Sequence, residues 1–149
     1  MPSYRGKSSY LLLTKYNNYA ELGGNGVNQL AVQDPNATMI DLISGAKVMK
    51  TILTIIGPTP DFTLRDQGHP NAVREWCVNS AVVDPQNKCA VVNSEDGNVY
   101  RWDFTTNSLT ARVNLSTGIG EPYTPTVVGP DGKVYAINNS TLFALGTTP

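Results

Sequence analysis

The sequence predicts an all-β protein built from repeated four-stranded antiparallel units, and three observations carry that expectation. The stretch from Trp76 to Gly118 holds four runs of strand length separated by turn residues. A shorter copy of that stretch follows it, and a looser copy precedes it. A four-strand unit recurring every roughly 40–50 residues is the mark of β-propeller blades. The expected fold is therefore a partial β-propeller of about two and a half to three blades, in one domain over 1–149 with blade-like units near 8–57, 73–118 and 119–146.

The central unit carries the pattern most clearly. Val78 to Val83 is a mixed, mostly apolar run that stops at Asp84-Pro85-Gln86-Asn87, where proline presets φ and removes a ladder donor. Lys88 to Asn93 returns, with Cys89 expected to face Val82 across that loop. Glu95-Asp96-Gly97-Asn98 is the next turn, Gly97 supplying a positive φ. Val99 to Phe104 is rich in aromatic and β-branched residues, Thr105 to Ser108 turns the chain, and Leu109, Ala111, Val113 and Leu115 alternate along the last strand.

Sliding the chain along itself by 45 residues lays Val127-Val128-Gly129-Pro130-Asp131-Gly132-Lys133 over Val82 to Lys88, and Tyr135 to Asn138 over Ala90 to Asn93. Leu142-Phe143 lies over Val99-Tyr100 after a shorter turn. Upstream, Tyr10 to Lys15, Gln29 to Gln33 and Val48 to Ile56 read as the second, third and fourth strands of a first unit. Asp34 there takes the place of Asp103, Asp34 to Ala37 turns, and Asp41 to Lys47 connects. The units thus hold three, four and three strands, whereas a closed ring has roughly four to eight full blades. Open sheet edges and bare blade faces follow. The remaining blades are expected from self-association or from a longer propeller, and the competing readings are an open β-array and a two-sheet sandwich.

Val99-Tyr100-Arg101-Trp102-Asp103, then Pro125-Thr126-Val127 with Asp131-Gly132, resembles the quinoprotein (PQQ)-type propeller repeat. That repeat runs close to a hydrophobic-Tyr-Ala-Leu-Asp strand, a Thr-Gly turn and a Pro-x-Val-x-x-Asp-Gly hairpin. Asn107 stands where the family has its turn glycine, a swap asparagine tolerates because it too adopts the left-handed conformation. The resemblance holds from Trp76 onward and is loose before it, and it looks nearest to the C-terminal blades of bacterial secreted propellers. It implies a binding or scaffold module. As alternatives it implies a remnant of a quinoprotein-type sugar or alcohol dehydrogenase, with pyrroloquinoline quinone and calcium, or a secreted carbohydrate-active propeller. The adjacent cysteines found in many of those dehydrogenases are lacking here.

Composition sets limits on partners. The net charge is −1 with Lys and Arg dispersed, so no basic footprint for nucleic acid or a polybasic membrane patch exists. No apolar run approaches transmembrane length. The N-terminal MPSYRGKSS is followed by Leu11-Leu12-Leu13, which Thr14-Lys15 interrupts before a signal-type core can form. The chain as given reads as cytoplasmic, or as secreted or periplasmic if it is a piece of an exported protein.

No catalytic constellation stands out, and the expected function is non-catalytic, with no cofactor. Asp34 and Asp103 read as turn-bonding repeat residues, and Trp76 and Trp102 as packing between blades. Glu95-Asp96 is too short for a loop-type calcium site. Gly23, Gly24 and Gly26 lack the Lys-Ser/Thr tail of a phosphate cradle. Cys77 and Cys89 sit out of register for a disulfide, so none is expected between them. Asn36, Asn114, Asn138 and Asn139 fall in N-x-Ser/Thr frames. In a blade the second-to-third and fourth-to-first connections emerge on one face. The long loops 16–28 and 57–74 are of those kinds, as are 94–98 and 116–123. Binding tends to reside where long loops gather on a rigid scaffold, so a protein or small-molecule ligand is expected on this face, at Asp61, Arg65, Asp66, His69 and Arg74.

Overall fold

The computed structural model describes residues 10–15, 29–41, 44–76, 81–116 and 125–146. Three antiparallel sheets follow one another along the chain. The first is β1 (Leu11–Lys15), β2 (Gln29–Ile40) and β3 (Lys47–Ile55), in that spatial order. A one-turn helix, α1 (Phe62–Asp66), lies in the connection to the second sheet. That sheet runs β4 (Val82–Asp84), β5 (Cys89–Asn93), β6 (Asn98–Asp103) and β7 (Ser108–Asn114). The third is β8 (Val127–Val128), β9 (Val134–Asn138) and β10 (Thr141–Leu145). Within each sheet sequential strands are neighbours. The described strands number three, four and three, and the molecule is a partial β-propeller.

The middle sheet is packed on both faces, and strict alternation assigns its side chains. Ala90 and Val92 of β5, with Tyr100 and Trp102 of β6, face the first sheet and meet Leu30, Val32, Ile52 and Ile55 there. Val91 and Val99 face the third sheet and meet Ala136, Val134 and Leu145. Trp76 and Trp102 are wholly buried between the first two sheets. Each packs edge-on against another ring, Trp76 on Tyr100 at 5.3 Å and Trp102 on Phe104 at 5.0 Å. Both tryptophans are thus inter-blade packing residues, as expected. Between the second and third sheets a buried polar contact adds specificity, Asn93 Nδ2 donating to Thr126 Oγ1 at 3.0 Å. The short strands β4 and β8 approach each other between the second and third sheets.

Three local expectations require correction. The first hairpin of the second sheet turns at 85–88, so Cys89 faces Asp84 and Val82 faces Val91. The cause is the Asp84 carboxylate, which accepts from Asn87 N at 3.0 Å and Asn87 Nδ2 at 2.7 Å and so closes a four-residue loop shifted by one position. Lys88 completes that loop at φ 50. The segment 34–37 is not the end of a strand. β2 continues to Ile40, its ladder with β3 stepping from Asp34↔Lys50 to Thr38↔Met49 across a bulge. Pro35 cannot donate to that ladder, and Asp34 Oδ1 instead takes Asn36 N at 2.9 Å. The turn after β2 is held by Asp41, which accepts from Ser44 N at 2.8 Å. In the first sheet Asp41 therefore does what Asp103 does in the second. Finally, the 57–74 connection contains α1 where only irregular chain was expected.

Cys89 is a free, buried thiol, pushed up in pKa by that burial. Cys77 lies outside the described residues, as do the 16–28 loop with its glycines and most of 116–123.

Candidate functional site

The connection from β3 to β4 is tied to the β5–β6 turn at both of its ends. Near its start, Thr59 Oγ1 donates to Asp96 Oδ2 at 2.5 Å. Near its end, Glu95 N donates to Glu75 O at 3.1 Å, Ser94 Oγ to the same carbonyl at 3.1 Å, and Trp76 bridges to Ser94. Leu115 N reaches Gly97 O at 2.9 Å, and Ser116 Oγ reaches Asn138 Oδ1 at 2.7 Å. The described parts of the 57–76, 94–98 and 116 connections and the end of β9 thus lie on one side of the array.

Asp61 starts α1 as its N-cap, its carboxylate accepting from Leu64 N at 3.1 Å. The same carboxylate pairs with Arg74 Nη1 at 3.2 Å, and that nitrogen lies 3.6 Å from Glu95 Oε1. Arg65 Nε donates to Ala72 O at 2.8 Å, and its guanidinium lies 5.9 Å from the Phe62 ring centre. Of the five residues singled out from sequence, Asp61 and Arg74 are therefore brought together as an ion pair. Arg65 braces the loop, and His69 is half-buried, its carbonyl accepting from Ala72 N. Asp66 is exposed. The cluster holds the loop in shape with most of its polar groups engaged internally.

Phe62, Thr59, Asp96 and Tyr100 were not among the ligand-binding residues expected from the sequence. Phe62 is 68% exposed at the tip of α1, a large apolar ring presented by a braced turn. Asp96 Oδ2 takes Tyr100 OH at 2.6 Å as well as Thr59, and its Oδ1 takes Asn98 N at 3.0 Å. Burial works to raise the Asp96 pKa, but the bonds from Thr59, Tyr100 and Asn98 outweigh it and hold the carboxyl below its ordinary range. Burial, then the bond to Asp96, raises the Tyr100 phenol. Both Asp96 carboxylate oxygens are thus engaged by donors, and the Glu95-Asp96 turn is a hydrogen-bonded hub. Among the described residues no three His, Cys, Asp or Glu side chains gather as metal ligands, and no helix is long and apolar enough to cross a membrane.

Beside this hub, Pro58, Thr59, Tyr100, Leu109 and Arg112 line an open cleft of ≈ 330 Å³ along β7. A second cleft, of ≈ 280 Å³, lies between the second and third sheets.

No family model matches the chain, and no curated protein matches it. Among solved structures it is similar to the β-propeller domain of Cps50 (Swd1) from Myceliophteria thermophila. Identity is 14%, the match covers 80% of this chain and 38% of that one, and the TM-score is 0.43. The chain thus spans well under half the length of that neighbour. The likeness transfers no residue role and no partner; the class rests on the three sheets themselves.

Proposed function

We propose that this chain is a non-catalytic β-propeller module for binding or scaffolding, whose array is completed by blades from outside it. One observation carries the reading: the described sheets hold three, four and three strands, and the first and third each have the middle sheet on only one face. Leu142, Val127 and Ile40 are more than half exposed, as suits surfaces that a neighbouring strand or blade covers. The long-loop face, with Phe62 and Asp66 outermost and Asp61, Arg65, His69 and Arg74 behind them, is the surface offered to a protein or small-molecule ligand. The finer assignment to the quinoprotein-type repeat is supported by Asp103 and Asn107. The Asp103 carboxylate accepts from Thr105 N at 2.9 Å and Thr106 N at 3.0 Å, and Asn107 takes the left-handed φ of 53 where that repeat has glycine.

Light scattering with a hydrophobic dye tests the reading on purified protein. The expected result is either a discrete oligomer, or a monomer that binds the dye through its bare sheet faces. A compact monomer that melts cooperatively and binds no dye overturns it.

A further inference from the structure

The methionines that follow Met1, Met39 and Met49, lie together on the hairpin that joins β2 to β3. β1 pairs with β2 only as far as Gln33, so among the described residues 34–40 have β3 alone as a neighbouring strand. Thr38↔Met49, Met39↔Val48 and Ile40↔Lys47 close this two-stranded arm, and residues 35–37 form the bulge between it and the rest of the sheet. Ile40 is 57% exposed, Val48 38% and Met39 37%, and none of them joins the apolar layers between the sheets. A two-stranded ribbon without a packed face is marginal by itself. Contacts across the bulge therefore decide how firmly the arm is held.

One such contact is made by sulfur. Met39 Sδ accepts from Thr51 N at 3.4 Å. Thr51 is itself held in place, because the buried Gln33 donates from Nε2 to its Oγ1 at 2.7 Å. A thioether is a weak acceptor, and this one keeps a second lone pair for an electrophile. Met49 is less exposed than Met39.

We propose that Met39 is a site of reversible oxidation by peroxides, and that its sulfoxide oxygen takes over the Thr51 N–H and tightens the arm. A sulfur lone pair attacks one oxygen of hydrogen peroxide, and the S–O bond forms as the O–O bond breaks. The departing hydroxide takes up the remaining proton and leaves as water. Sulfur gives up two electrons and the peroxide gains them. Oxidation of a methionine in a core disrupts its packing. At Met39 the new oxygen meets solvent on one side and a fixed donor on the other, so the effect has the opposite sign. Sulfoxide reduction by a thiol-dependent reductase restores the weaker contact.

The test treats the whole protein with hydrogen peroxide and locates the added oxygen by peptide mass. Met39 sulfoxide should accumulate ahead of Met49 sulfoxide. In a Met49→Leu background, the Thr51 amide should exchange with solvent about threefold more slowly or less rapidly still after oxidation. A methionine sulfoxide reductase should reverse that slowing. The double variant Met39→Leu, Met49→Leu should show no change at Thr51 under the same treatment. Oxidation of Met49 first, faster or unchanged exchange at Thr51, or slowing that persists without Met39 overturns the site. None of these outcomes depends on whether the array is completed from outside.

Discussion

Arg74 shows what a single side chain does in this array. Its Nη1 sits between the Asp61 and Glu95 carboxylates at 3.2 and 3.6 Å, and the Asp61 side chain is only 5% exposed. Removing the cation leaves a buried carboxylate without its counter-charge, the costly way to break such a pair. Arg74→Ala should lower stability by about 2–3 kcal/mol in urea unfolding, discounted from the fully buried case because Arg74 is partly solvated. Asp96 makes a pH-dependent contribution. Its folded pKa is depressed, so the stability it confers is present above the unfolded aspartate value and is lost as pH falls through the lower folded value. Tyr100→Phe removes the 2.6 Å donor and should cost about 1–2 kcal/mol at pH 7. That loss should shrink in acid, once the pH has fallen below the depressed folded value, where the carboxyl is protonated and the charge-assisted bond is gone. An equal loss at both pH values, measured by urea titration, would show that the bond does not couple to the carboxylate.

At the scale of the strand, β6 separates two environments residue by residue. Tyr100 and Trp102 enter the layer against the first sheet, while Val99 lies against the third and Arg101 turns to Asp103 and Thr110 at 3.1 and 2.7 Å. Trp102→Ala should therefore cost about 3–5 kcal/mol, and Arg101→Ala no more than about 1 kcal/mol, in the same unfolding assay. This alternation was legible in the sequence because aromatic and β-branched residues at period two have few readings other than a strand packed on both faces. The turn residues were legible for a similar reason, since Gly97 and Asn107 adopt the positive φ values of 82 and 53 that their types favour. What escaped was set by side-chain chemistry at a distance. The four-residue loop at 85–88 depends on Asp84 reaching Asn87, and the bulge in β2 depends on β3 pairing past Pro35. The capped turn at Asp61 had a local signal, an aspartate opening a short run of helix-compatible residues, which the surrounding prolines masked. Nothing local announces that Thr59 and Tyr100 meet at Asp96, because 37 residues separate Thr59 from Asp96.

The three sheets make unequal interfaces, and that inequality sets how the whole molecule comes apart. In a linear array each unit contacts only its neighbours, so stability is close to a sum of unit and interface contributions. Both tryptophans, Tyr100, Phe104, Leu30, Val32 and Val92 lie between the first and second sheets. The buried apolar residues between the second and third are Val91, Val99 and Ala136. The long connection is also fastened to both partners of the larger interface, since Trp76 Nε1 donates to Ile55 O at 2.8 Å while Glu75 O accepts from Glu95 N. A fragment of residues 1–118 keeps all of this and loses only the smaller interface. A fragment of residues 58–149 loses the packing partner of both tryptophans. Circular dichroism melts should therefore show a cooperative transition for the first fragment, displaced to lower temperature, and none for the second. Cooperative melting of 58–149 with loss of structure in 1–118 would mean that the third sheet organises the array. The tryptophan layer would then be a consequence of folding and not its centre.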